Sequence, residues 1–356
     1  MSLSRWTLHG AAALLVALPT LGHALTTRCV ATPEALVSAF DDAMASSDPI
    51  FIIKLRQGQF TLDSVSLPLL ELTRSNQTVE ISGGWVDAGC QDRALGHDHT
   101  LLAGNSTDKT FSFNAHANSG GLLYVHDLSI SSANGTTVGN GACLLGWLSA
   151  GHNVTFDRVR LTQCKGGIDS SAASGELNNN GGELVVRNVV VDTGIADYNG
   201  GLSVYTRNAG VTRIAHISVT NTHSTAPAAT ASGLLLTTLD GSRTDVGNSV
   251  IWGNDTGLPD LSVSGAFNYL TRVHRTLLDG TPTSDITPGT GDPGFVSIGN
   301  PRLRADSILI DSGVSNPSGG SGTYDADGRA RVSGAAPDVG AFEWTPGDVI
   351  FADGLD

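Results

Sequence analysis

Lysine is nearly missing: Lys54, Lys109 and Lys165 are the only three in 356 residues. Lys and Arg together number 20 against 34 Asp and Glu, for a formal net charge of −14. A phosphate backbone needs a basic stripe, so nucleic acid is not an expected partner. An acidic polysaccharide is disfavoured as a simple electrostatic ligand unless a local basic patch gathers it. The surplus negative charge by itself reads as solubility. Convincing helical periods are scarce, and beyond residue 24 no apolar run approaches the roughly 20 residues that span a bilayer. No nucleophile-elbow motif supports Ser/His/Asp catalysis.

The first residues are different. MSLSRWTLHGAAALLVALPTLGHA has Arg5, the short apolar run Ala11 to Leu18, the breaker Pro19 and a small-x-small end at Gly22-His23-Ala24. That pattern predicts a signal peptide over residues 1–24 and an exported chain, secreted or held at the cell surface. No small-residue lipobox precedes Cys29. The chain has 4 cysteines, Cys29, Cys90, Cys143 and Cys164. An even count in an exported chain favours disulfides. Three pairings exist, and Cys29–Cys90 with Cys143–Cys164 is preferred because each bridge stays within one region.

Glycine is abundant, with 44 residues, which suits many short strands and tight turns. Six segments repeat: VHDLSI, FDRVRL, VRNVVV, IAHISV, VGNSVI and VHRTLL. Their third residues, Asp127, Arg158, Asn188, His216, Asn248 and Arg275, stand 31, 30, 28, 32 and 27 apart. A recurring unit of this length signals stacked repeats. Within a unit the apolar residues step by three and then two, as in Val125, Leu128 and Ile130. A strand alternates by two, and a helix steps by three and four. Three-then-two therefore reads as strand, one-residue corner, strand. Asn and Asp tolerate a left-handed corner, and His is enriched there. Asp127, Asn188, His216 and Asn248 fit as corners; Arg158 and Arg275 are expected to bend differently.

The predicted fold is all-β: a right-handed parallel β-helix, a solenoid of about ten coils. Its open ends expose strand edges and need caps. Thr32-Pro33-Glu34 starts a helix with Leu36, Val37, Phe40 and Met44 on one face, predicted to cap the first coil. Phe51 to Leu55 is expected to be the first strand. The domain layout is a leader over 1–24, one β-helix domain over 25–345 with its N-terminal cap in 25–60, and a tail over 346–356.

From Asn248 onward the residues resemble a known group. NSVIWGND, GDPGFVSIGNPRLRADSILIDSG (Gly291 to Gly313) and YDADGRARVSGAAPDVGAFE (Tyr324 to Glu343) are together similar to β-helix proteins that end in a choice-of-anchor Q region. Val339 and Phe342 depart mildly from that pattern. The resemblance places the anchor-like region at 290–345 and implies fold and export, with no catalytic residue to carry over. Cys29, the capping helix and Gly83-Gly84-Trp85 before Cys90 also resemble exported bacterial relatives, which supports Cys29–Cys90. The ending GDVIFADGLD is similar to a sorting tail, with Leu355 where an aromatic usually stands.

Chemistry is sparse. Polysaccharide-cleaving β-helices draw side chains from adjacent coils. Asp192 and Asp279 sit three coils apart, roughly 14 Å, too far for a glycosidase pair. Asp169 and Asp197, in loops of consecutive coils near Lys165 and Tyr198, are the better catalytic candidates, although Asp beside Gly usually caps a bend. His97-Asp98-His99 lacks zinc-like spacing and reads as a polar turn before Thr100–Leu102. Asp325, Asp327 and Gly328 echo a calcium loop whose downstream acid is missing, so no cofactor is expected and calcium has only this faint echo. The leading expectation is a non-catalytic, monomeric surface or envelope protein that meets a polysaccharide or cell-surface glycan. The alternative is a polysaccharide lyase or glycoside hydrolase of pectate-lyase-like fold.

Overall fold

The computed structural model describes residues 25–62, 65–104, 109–116, 120–132, 142–166, 174–254, 257–265, 270–278, 286–289 and 292–346, with the backbone course alone for 270–278 and 286–289. The expected leader, the tail beyond residue 346, Asp169, Asp255, Asp279 and the side chain of Arg275 lie outside the described residues.

The chain forms a parallel β-solenoid. One sheet holds 15 strands and a second holds 7, both built from parallel neighbours. Three of the three-then-two segments show what their spacing predicts. Val125, Leu128 and Ile130 are buried, as are Phe156, Val159 and Leu161, and Val186, Val189 and Val191. Between the two halves the backbone turns left-handed. Asp127, Asn188, His216 and Asn248 have φ of 57°, 53°, 52° and 48°. A left-handed residue with a side chain costs about 1–2 kcal/mol. The three apolar side chains that each bend turns inward return about 1.5–3 kcal/mol apiece, so the bend is favourable.

Arg158 corrects an expectation. It takes the same bend, with φ of 55°. Its guanidinium reaches back one coil, where Nε and Nη2 donate to the two oxygens of buried Asp127 at 2.7 and 2.9 Å. A bidentate, charge-assisted pair of this kind outweighs the strain. Five residues beyond four of these corners comes a second left-handed row that the sequence reading missed: Gln163, Thr193, Asn221 and Gly253, with φ of 52°, 52°, 53° and 68°.

The interior is apolar at one end and hydroxylated at the other. Phe40, Phe111, Phe113 and Phe156 run in series with centroids 6.0, 6.3 and 6.0 Å apart. Gly146 lies inside this run, where a Cβ would come within 2.2 Å of the Phe113 ring. The inward row Val79, Leu123, Val154, Leu184 then changes to Thr212 and Thr244. Thr212, Thr206, Thr244 and Thr238 bond one another in a chain at 2.7, 3.1 and 2.8 Å. Each buried hydroxyl thereby keeps a partner.

The helix Pro33–Ala45 caps the first coil, with Thr32 accepting from the Ala35 amide at 3.2 Å. It buries Leu36, Ala39, Phe40 and Ala43, while Val37 and Met44 pack against the core from its margin. The first strand is Leu25–Val30, paired parallel to Ile50–Arg56, so the stretch expected to open the sheet is its second strand. Cys29–Cys90 and Cys143–Cys164 are both formed.

The solenoid has about 6 turns, fewer than the ten expected. The last fifty described residues leave the coil and run back along its side. This strap meets the corner row bend by bend. Asn248 accepts from the Val314 amide and donates to its carbonyl at 2.9 and 2.7 Å. His216 meets Asp338 O and Ser321 Oγ. Asn188 donates to Ser321 O and accepts from Arg331. The Tyr324 ring lies against the Arg158 guanidinium at 5.9 Å. Finally His97 donates its amide to Ala326 O, and Gly96 leaves room for the Asp327 backbone, which its Cβ would meet at 2.6 Å. Arg331, 2 % exposed, is held by Glu343 at 2.8 Å and by the carbonyls of Gly340, Ala341 and Phe342.

Two outcomes follow for denaturation. Asn248→Ala loses the left-handed tolerance and both strap bonds, and should cost about 2–4 kcal/mol. Asn248→Gly keeps the bend and should cost about half as much. Urea midpoints and proteolysis of the 313–343 strap measure both. By loop length, removing Cys29–Cys90 should cost about 4 kcal/mol and removing Cys143–Cys164 about 3 kcal/mol, read from the same curves for paired Cys→Ser variants.

Candidate functional site

The outer face of the seven-stranded sheet carries a groove of about 400 Å³ lined by Leu69, Asn114, Trp147, Leu148, Ser149, Asn178, Asn180 and Arg207. It lies on strands rather than loops, so the rungs set its spacing. Glu71 pairs with Asn114, Asn114 with Trp147, Trp147 with Asn178, and Asn178 with Tyr205. These side chains all point outward because the residues between them, Phe113, Ala115, Leu148, Leu177, Val204 and Thr206, fill the core. Trp147 is 39% exposed. A flat aromatic beside amide groups can stack on an apolar sugar face and hydrogen-bond the hydroxyls at its edge.

Carboxylates border the groove without forming an acid–base pair. Glu71 is bound to His116 and accepts from Asn114 at 3.3 Å. Glu176 is buried and accepts from Asn178 at 2.9 Å. They are three rungs apart, roughly 14 Å, beyond the separation of inverting glycosidase carboxylates. Asp197 accepts from Thr225 Oγ1 at 2.6 Å, which is the bend chemistry that competes with its catalytic reading. Lys165 pairs with Ile195 in a bridge one strand from Asp197, and Tyr198 is exposed beside it.

A second polar cluster lies on the outer face of the larger sheet and was not singled out in the sequence. The Tyr124 hydroxyl donates to Asp157 at 3.1 Å, and its ring stacks on His126 at 4.1 Å. His126 lies 3.1 Å from Glu80 and 2.6 Å from Asp127. Burial lowers the His126 pKa and raises that of Tyr124. Asp127 and Asp157 are both paired with Arg158, and Asp157 also with Arg187, so these carboxylates hold the corner row. Their signal was available: each stands at or one residue before a repeat marker.

The two metal echoes meet in space. His97–His99 forms a single 3-10 turn before strand Thr100–Gly104, as expected, and the strap brings Asp327 to it. Ligand atoms of His97, Asp98 and Asp327 lie within 4.8 Å of one another. Arg302 occupies the charge centre, donating to Asp98 at 2.9 Å and to Asp327 at 2.6 Å. Asp325 spends its oxygens on the amides of Asp327, Arg329 and Glu343 at 3.1, 2.7 and 2.8 Å. The calcium-like segment is thus a backbone turn tied to an ion pair.

No protein-family model, curated protein or solved structure matches this chain. No helix among the described residues is long and apolar enough to cross a membrane.

The strap carries opposed titrations. Burial, with the Arg331 charge adding to it, pushes the His216 pKa well down. Its stabilising share is complete above the unfolded value near 6.5 and is lost as pH falls through the folded value. Burial pushes the Asp325 and Asp338 carboxyls up to about 6, against the pull of backbone amides. Their share is complete below the unfolded value and is lost as pH rises through about 6. His216→Asn keeps a residue suited to the bend and removes only the first titration. The stability gap between the native chain and this variant should narrow between about pH 7.5 and pH 5, compared by urea midpoints.

Proposed function

We propose that this chain is an exported β-helix protein, a member of the choice-of-anchor Q group, that binds glycans on its seven-stranded face without cleaving them. The observation that carries the reading is the groove beside Trp147, a strand-mounted aromatic flanked by Asn114, Asn178 and Asn180. Sites on strands hold their spacing better than sites on loops. The acids nearest the groove are too far apart for a hydrolytic pair, which favours binding over hydrolysis. Two disulfides suit an oxidising compartment, which supports export. The anchor-like motifs of residues 291–343 supply much of the strap, which agrees with a region of defined structural use.

A glycan array with purified protein tests the reading. Trp147→Ala should weaken retained glycans by about tenfold, equivalent to about 1.4 kcal/mol, with an unchanged melting curve. Release of reducing or unsaturated sugar ends from a bound polysaccharide would replace binding with the lyase or hydrolase reading.

A further inference from the structure

Four successive rungs of the seven-stranded sheet present Asn114, Trp147, Asn178 and Tyr205 in one outward row. Amide and aromatic alternate. Residues of the same kind therefore recur every second rung, roughly 9.5 Å apart. The row is straight because its members are direct register partners. Arg207 and Asn180 flank it one side chain further along their strands, Arg207 beyond Tyr205 and Asn180 beyond Asn178.

An extended, ribbon-like β-1,4-linked glycan has the same period. Each sugar ring is turned over relative to the last, so every second ring offers the same face. The repeat is one disaccharide, close to two strand spacings. Rings that stack on Trp147 and Tyr205 would leave the ring between them lying flat over Asn178 with its opposite face down, and the next one likewise over Asn114, where the amides can reach the hydroxyls at the ring edges. An α-1,4-linked glucan curves away from a straight row and can use only one platform. The groove lining contains Arg207 and no Asp or Glu, in a chain with 34 of them. The bordering Glu71 and Glu176 are already bonded to Asn114 and Asn178, so neither acid is left unpaired beneath an uncharged ligand.

We infer that the ligand of this face is a neutral, ribbon-like β-1,4-linked glycan lying along the solenoid axis, with alternate sugars stacked on Trp147 and Tyr205. The inference rests on the glycan-binding reading of the same face and adds linkage, charge class and direction to it. Calorimetric titration tests it with β-1,4-linked glucose and N-acetylglucosamine oligomers from disaccharide to hexasaccharide, beside α-1,4-linked glucose oligomers of equal length. Affinity for a β-series should rise at least about tenfold from disaccharide to tetrasaccharide, as the second platform is engaged, and change little from tetrasaccharide to hexasaccharide. Trp147→Ala should abolish that length dependence, and Trp147→Phe should restore most of it. Equal or tighter binding of the α-series, or β-binding independent of length, overturns the inference and leaves glycan binding standing. Silence of both series overturns it as well. If the array is also silent for a chain with a native melting curve, the glycan reading falls with it.

Discussion

The left-handed residue at the marker position of each repeat governs this molecule. It turns the strand so that residues on both sides of the bend face one interior, which a continuous strand cannot do. The same residue has a side chain beside backbone groups of the strap. Asn248 uses its amide oxygen and nitrogen on Val314 as a neighbouring strand would use a peptide group. His216 and Asn188 do related work one and two coils earlier. The corners are thus both hinges of the coil and the seam along which the strap is held.

That seam explains the amount of buried polarity. Asp127, Asn188, His216 and Asn248 are all fully buried, and so is the Arg331–Glu343 pair. Buried polar groups of this number would be destabilising if unpaired. Here the strap supplies carbonyls and amides to Asn188, His216 and Asn248, while Asp127 is held by Arg158 and the Gly96 amide, so these corners are satisfied by segments distant in sequence. Strap and seam depend on each other: without the strap the corners face water, and without the corners the strap has little to hold.

The repeat was readable because its spacing, three then two, fits no other regular structure. The capping helix was readable from Thr32 and Pro33, and the disulfides from locality. The bend at Arg158 was not, because its strain is relieved by Asp127, 31 residues away. The second corner row escaped notice because Gln163 and Thr193 are poor left-handed residues by type, and only their fixed distance from the markers gives them away. The strap was hidden more deeply. Its residues hydrogen-bond corners up to 143 positions earlier, and no local pattern encodes that pairing. The groove was missed for a related reason. Trp147 and Tyr205 belong to the third side of each coil, where the segments LLGWLS, GELNNN and LSVYTR share an alternation but no residue motif. Asp197 drew attention by sequence because acids in loops are conspicuous, whereas amides and aromatics on strands are ordinary until stacked.

The strap also sets a limit on how such a chain can change over generations. Solenoids commonly grow or shrink by whole repeats, since each unit touches only its neighbours. This one is measured against a fixed ruler. A duplicated coil between His216 and Asn248 would carry Asn248 roughly 4.8 Å from Val314 while His216 kept its place on Asp338. Gain or loss of a unit within the strapped span is therefore penalised at several corners at once, whereas coils outside that span remain free to vary in number.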